Sequence, residues 1–152
     1  MSKPEPYALL REAALAHQAG RLQDAITGYR RVTAVLPNQP VANHNLGVLA
    51  IQMGHGLPAA LPFFVTAWEA DPTHEQHWHS LVRALTQTGN LGAAQGVYQD
   101  GVGRGLKGPS PADLQRLAAL PKLAAPASLE IGLRDLQAVV ARRDWPLAQA
   151  LA

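Results

Sequence analysis

A histidine-rich tract is the part of this 152-residue chain whose residue types come closest to metal chemistry. It runs from His74 to His79 with the sequence HEQHWH. Zinc proteases carry two histidines four residues apart on one helix face, with a glutamate after the first. Here the first spacing is three residues, so His74 and His77 share a helix face while His79 points elsewhere. We therefore expect surface or groove histidines, which would make binding pH-sensitive, and no metal site.

Other chemical signatures are weak or missing. The sequence has no cysteine, which excludes disulfides, thiolate zinc sites and cysteine nucleophiles. Glycines at 101, 103 and 105 lie beside Arg104 and Lys107, but a phosphate-binding loop needs a preceding strand, and none is predicted. A flexible linker is the better interpretation of these glycines. The acidic residues are scattered, so we predict that the chain is not an enzyme and uses no cofactor.

The composition bounds the fold and the partners. Hydrophobic residues make up 47% and aromatic residues only 5%, so the core must be built from Leu, Ala and Val, which favours helix over sheet. A net charge of +2 is too small to predict binding to nucleic acid or a membrane. No apolar stretch approaches the roughly 20 residues that span a bilayer. No signal peptide is visible, so we expect a cytoplasmic protein of one domain.

Several landmarks recur with a period of 34 or 35 residues. Each unit has a glycine after an apolar stretch of helical period, then a small residue, an aromatic residue four positions later, and in two units a closing proline. The landmarks are Gly20, Gly54 and Gly89; the pairs Ala25–Tyr29, Ala60–Phe64 and Ala94–Tyr98; and Pro37 and Pro72. Each glycine is expected to end a first helix in the left-handed conformation. The aromatic residue would fill the gap between units.

This pattern resembles the tetratricopeptide repeat, whose period is about 34 residues. The second unit carries Leu46-Gly47, Ala50, Ala60, Phe64 and Pro72, and the third carries Trp78, Leu81, Leu85, Ala94 and Tyr98. The first unit is degenerate in its first helix. The resemblance covers about residues 6–107 and implies repeats at 6–39, 40–74 and 75–107. It implies an all-α fold, an α–α superhelix of helix-turn-helix repeats with C-terminal capping helices.

Two prolines complicate the second helix of the second unit. Pro58 fits the first turn of a helix, where a proline costs no hydrogen bond. Pro62 lies one turn later, and we expect it to kink that helix or to delay its start.

The resemblance also implies where a partner binds, because the first helices of such repeats line a concave groove. The predicted groove residues are His44, Asn45, Val48, Gln52, Gln76, His79, Arg83 and Gln87. Some relatives clamp a terminal carboxylate with cations and Asn, but here Leu10 and Ala14 occupy two of those positions. Asn45 matches one clamp position and Arg83 supplies a nearby cation. Asn45 has two open interpretations: it contacts a peptide, or it braces its own helix pair.

The two ends of the chain depart from the repeat. Residues 1–5 are expected to form a flexible N-terminus, and 108–127 a Gly/Pro-rich linker with one short helix. Residues 128–152 fit either a capping helix that seals the last apolar face or a partial fourth repeat. The second interpretation would make the chain a fragment of a longer protein.

The main functional prediction is a protein–protein interaction scaffold that holds a protein or peptide in its groove. One alternative is the substrate-recognition arm of a larger bacterial enzyme, such as an O-linked glycosyltransferase or a sulfotransferase. Another is a homo-oligomeric structural module that self-associates through an exposed face with Phe63 and Trp68, or through the open last helix.

Overall fold

In a computed structural model of the chain, which describes residues 5–106, six helices follow one another and no strand is present in that part. They are α1 (Pro6–Gln18), α2 (Leu22–Val35), α3 (Pro40–Gln52), α4 (Leu57–Ala70), α5 (Glu75–Gln87) and α6 (Leu91–Gly103). The helices pair as α1–α2, α3–α4 and α5–α6, and each pair packs on the next. The result is an all-α superhelix of three helix-turn-helix units.

The turn inside each unit is built in the same way. Gly20, Gly54 and Gly89 have φ angles of 78°, 81° and 83°, which confirms the predicted left-handed conformation after each first helix. The residue after each glycine then donates its backbone N–H to a carbonyl five positions back. These bonds are Arg21 to Ala16 at 2.9 Å, His55 to Ala50 at 2.9 Å and Asn90 to Leu85 at 2.8 Å.

Small residues of the second helices let the two helices of a unit approach closely. Ala25, Ala60 and Ala94 are fully buried, and the aromatic residues four positions later lie in or against the core. In the second unit, Gly47 of α3 is required for this packing. A methyl group there would come within 2.6 Å of Phe64 Cε1 on α4. The Leu-Gly pair of the sequence pattern is therefore a packing requirement.

Gly101 serves the third unit in a comparable way, and the sequence-based interpretation of it was wrong. It is not part of a flexible linker: it lies buried inside α6, and a side chain there would overlap the indole ring of Trp78. That indole donates its Nε1–H to the carbonyl of Val97 at 2.8 Å, which ties α5 to α6. The helix ends at Gly103, as predicted.

Pro62 does not delay α4. The helix begins at Leu57, directly after Gly56, whose φ angle of 84° turns the chain into it. Pro58 lies in the first turn, as predicted, and Pro62 is accepted inside the helix. Since proline has no N–H, the carbonyl of Pro58 loses its partner four residues on, a cost confined to the first turns.

The proposed Phe63–Trp68 surface does not exist as an exposed face. Trp68 is only 6% exposed and belongs to the core, while Phe63 is half-buried and packs against that core. Both lie on α4, which is sandwiched between α3 and α5, so their faces are used within the fold. Trp68 therefore cannot contribute to self-association as predicted, while Phe63 keeps only part of its side chain at the surface.

None of the helices in residues 5–106 is long and apolar enough to cross a membrane. Most of the N-terminus expected at 1–5, namely residues 1–4, lies outside the described residues. So do the linker at 108–127 and the capping helix or partial repeat at 128–152.

Candidate functional site

The first helices of the three units form a continuous surface, which we call the groove face. The helices α1, α3 and α5 start 34 and 35 residues apart and are linked directly by side chains. His17 Nε2 of α1 lies 2.8 Å from Gln52 Oε1 of α3. His44 Nε2 of α3 lies 2.7 Å from Ser80 Oγ of α5. These two bonds hold the three helices side by side.

Asn45 lies on the groove face where the first and second units meet. Its Nδ2–H donates to the phenol oxygen of Tyr29 at 3.0 Å. Tyr29 is fully buried, and burial raises the pKa of its phenol, while the bond from Asn45 opposes that shift. Asn45 therefore braces α3 against α2 of the preceding unit, and not against its own partner helix α4. The side chain remains half-buried.

A small open cleft surrounds this bond. It is lined by Ala14, His17, Gln18, Tyr29 and Asn45 and has a volume of about 250 Å³. Its walls come from the first helices of two units, with the Tyr29 phenol contributed from between them. The cleft combines an apolar wall with carboxamide and imidazole groups, which can donate and accept hydrogen bonds.

Most of the other predicted groove residues are accessible. Gln52, Gln76, Arg83 and Gln87 are exposed, and Val48 is half-buried against the core. Arg83 carries the single full charge of the predicted set. The groove face therefore presents carboxamides along its length and one guanidinium at its α5 end.

His44 was wrongly predicted to line the groove. Its side chain is only 4% exposed, because its ring is enclosed between α3, α4 and α5. The ring packs against Phe64, with centroids 5.3 Å apart, and against His77, with centroids 5.0 Å apart. A residue enclosed in this way cannot contact a partner without a change of structure.

The histidine tract is also not a simple surface feature. His74 is exposed and stacks on His77 with ring centroids 4.1 Å apart, so the prediction that these two share a face is confirmed. His77, however, is only 3% exposed, and its Nδ1 atom has no hydrogen-bond partner in the described part of the chain. Burial, with smaller effects from His74 and His44, lowers the pKa of His77 from 6.5 to about 4.

His79 points away from this pair, as predicted, and leans on the indole of Trp78 with centroids 5.1 Å apart. It is half-buried, so it reaches the groove face only in part. Within residues 5–106, no group of three His, Cys, Asp or Glu side chains is arranged to hold a metal ion. The carboxylate of Asp71, next to the tract, accepts hydrogen bonds from Thr73, which lowers its pKa.

The architecture is shared with known structures, although the sequence matches no family profile and no curated protein. The chain is similar to the Sgt2 TPR domain from Aspergillus fumigatus, with a TM-score of 0.59 and 19% identity over 95% of this chain and 87% of that one. It is similar to MamA (41-end) from Desulfovibrio magneticus RS-1, with a TM-score of 0.58 and 19% identity over 98% and 76%. This chain has the tetratricopeptide-repeat fold.

A third tetratricopeptide structure was solved with a ligand. The first TPR of Spaghetti (RPAP3), bound to the HSP90 peptide SRMEEVD, matches with a TM-score of 0.59 and 13% identity over 93% of this chain and 97% of that one. The likeness establishes the tetratricopeptide architecture of this chain.

Two hydrogen bonds within and between the repeat units were not predicted from the sequence. The bond between Asn45 and Tyr29 joins residues 16 positions apart, and the indole bond from Trp78 to Val97 joins residues 19 apart. The available signal was the burial of Tyr29 and Trp78 at repeat positions, because a buried polar atom needs a partner.

Proposed function

We propose that this chain is a protein-interaction scaffold that holds an extended segment of a protein partner on its groove face. The observation that carries the proposal is the alignment of α1, α3 and α5 with accessible carboxamides on all three helices: Gln18, Gln52, Gln76 and Gln87. A carboxamide offers both a donor and an acceptor, as does each peptide unit of an extended chain. Such a surface recognises a backbone with little regard for side chains.

The charge of the groove face favours an acidic side chain in the partner. Arg83 is exposed at the α5 end, and a guanidinium binds a carboxylate through two parallel hydrogen bonds. The apolar Leu10 and Ala14 favour an internal segment over a chain terminus, since no cation stands there to neutralise a terminal carboxylate. The SRMEEVD complex of the structural neighbour supports peptide binding by this architecture.

Site-specific photo-crosslinking tests this proposal. A photoreactive amino acid replaces Gln52 or Gln87 on the groove face, and the exposed Gln23 of α2 serves as the matched control. We expect the two groove positions to crosslink the same protein in cells, identified by mass spectrometry, and the control position to leave it unlabelled. Equal labelling from Gln23, or turnover of a small molecule by the pure chain, would contradict the scaffold proposal.

One alternative uses the same surface. If the repeats recruit substrate for a catalytic domain of a larger bacterial enzyme, the groove face would be the recruiting surface, and the crosslinked protein would be a substrate of that enzyme. This alternative stays a prediction. Assembly through the open last helix also stays a prediction, because the helix expected at 128–152 lies outside the described residues.

A further inference from the structure

The second and third units meet through a pair of buried histidines. His44 comes from α3 and His77 from α5, and their ring centroids are 5.0 Å apart with planes tilted by 34°. Both side chains are almost completely buried. Imidazole rings in this position are an unusual choice for a junction that elsewhere packs Leu, Val and Ala.

Each element packed around the two histidine rings contributes groups that face them. From α4 comes the ring of Phe64, which is apolar, and from α5 comes Ser80, bonded to His44. The turn between α4 and α5 supplies His74, stacked on His77, and the carboxylate of Asp71. The side chain of Asn45 on α3 favours the protonated form of His44.

These surroundings favour neutral rings. Burial lowers the pKa of both His44 and His77, and neighbouring histidines lower it further. Asn45 acts against this shift of the pKa at His44, and Asp71 acts against it at His77, but burial outweighs both. The Asp71 carboxylate is already occupied with the backbone N–H and hydroxyl of Thr73, at 3.4 Å and 2.8 Å.

Protonation would damage the junction in two ways. Two positive rings at this separation, shielded from water, repel each other. In addition, a protonated ring carries an N–H on both nitrogens, and His77 Nδ1 has no hydrogen-bond partner within residues 5–106. The backbone of Asp71 favours the protonated ring, but burial opposes it more strongly. Both costs vanish if α5 moves away from α3 and the rings meet water.

We propose that the His44–His77 pair makes the joint between the second and third units an acid-sensitive hinge, closed while both rings are neutral and released when they take up protons. The hinge divides the groove face between α3 and α5, so its release would separate Gln52 and Asn45 from Arg83. The proposal concerns the joint itself and does not depend on the binding of a partner.

The direction of the pH effect follows from proton uptake on opening. At pH values above the ordinary histidine pKa of 6.5, the rings are neutral in both the closed and the open state, and closure is fully stable. Between 6.5 and about 4, the open state binds a proton at position 77 that the closed state does not. Stability of the joint is therefore lost as the pH falls through this range.

Urea unfolding of the full chain at two pH values gives the first test. With a folded-state pKa of about 4 for His77, the unfolding equilibrium constant should rise about 30-fold between about pH 7.5 and about pH 5 from this residue alone. The variant His77→Gln should lose most of that pH dependence. His55→Gln, in the turn of the second unit and outside the cluster, should keep it. Equal pH dependence in the two variants would overturn the proposal.

Two measurements on the unmodified protein keep the proposal testable if His77→Gln does not fold. NMR titration of the imidazole signals should place the pKa values of His77 and His44 below the ordinary histidine range. A pKa of His77 near 6.5 in the folded chain would overturn the proposal.

Hydrogen exchange, corrected for intrinsic rates, should show amides of α5 and α6 losing about tenfold more protection at about pH 5 than those of α1 and α2. Uniform loss across the helices would mean global unfolding and no hinge.

Neither readout uses a partner. A failed hinge test therefore leaves the proposed scaffold function standing, and a failed crosslinking experiment leaves the hinge standing.

Discussion

The side-chain amide of Asn45 donates a hydrogen bond of 3.0 Å to the phenol oxygen of Tyr29, and this bond joins the groove face to the core. Tyr29 is the aromatic residue that fills the gap between the first two units, and Asn45 is a predicted groove residue. The bond fixes the rotamer of Asn45 in the free chain, which would favour the proposed binding at the groove face. Fixing a side chain in advance reduces the entropy lost on binding.

Replacing Tyr29 by Phe tests the strength of this bond. The ring still fills its site, but Asn45 loses its acceptor, so we expect the free energy of unfolding to fall by about 1 kcal/mol. Urea unfolding of the full chain measures this change. Tyr7→Phe is the matched control, because Tyr7 is exposed on α1 and should change stability very little. A Tyr29→Phe variant as stable as the native chain would show that the bond contributes nothing net.

Gly47→Ala should destabilise the second unit. The added methyl group would lie 2.6 Å from Phe64 Cε1, so α3 and α4 would have to separate or the ring would have to shift. Overpacking of this kind costs about 1–3 kcal/mol. The control is Gly103→Ala in α6, where nothing lies within 4 Å, and where replacing a helical glycine should leave stability unchanged or slightly raise it. Thermal unfolding that moved equally in both variants would rule out the packing explanation.

The two buried tryptophans of the described helices should respond differently to the same substitution. Trp78 is 2% exposed and donates to the carbonyl of Val97, whereas Trp68 is 6% exposed and its Nε1 has no hydrogen-bond partner in residues 5–106. Both Trp→Phe changes remove similar volume. Trp78→Phe should cost about 1–2 kcal/mol more, because only there does the substitution break a buried bond. Equal losses in chemical unfolding would argue against that hydrogen bond.

Arg83→Gln should weaken the partner complex without changing the fold. Arg83 is exposed, so its loss removes an attraction for acidic side chains and leaves the core intact. We expect crosslinking from Gln87 to the partner to fall about threefold to tenfold, and the remaining binding to depend less on salt. Arg31→Gln on α2, also exposed, is the control for a simple change in net charge. An identical loss in both variants would mean that Arg83 has no specific role.

The sequence predicted the repeat and its turns well, because glycine and proline act locally. Gly20, Gly54 and Gly89 were assigned their conformation from position alone, and all three have it. Their requirement is set by the backbone of a few residues, so no knowledge of distant contacts was needed.

The errors concern side chains whose surroundings are set by the angle between units. His77 was expected at a surface because it lies in a histidine tract, and His44 was expected in the groove because of its position in the repeat, yet the packing of α5 on α4 encloses both. Trp68 was expected on an outer face, and it belongs to the core instead. A repeat pattern gives the order of helices but not how far one unit covers its neighbour.

The turns closed from Arg21 to Ala16, from His55 to Ala50 and from Asn90 to Leu85 each use atoms from one unit only. The residues that set the bend of each helical hairpin therefore lie within that hairpin and not in the units before or after it. In evolutionary terms, such a hairpin behaves as a cassette that can be duplicated or exchanged with its shape intact. If the hairpins were rearranged, the contacts between neighbouring hairpins, such as that of His44 with His77, would have to form anew with different residues.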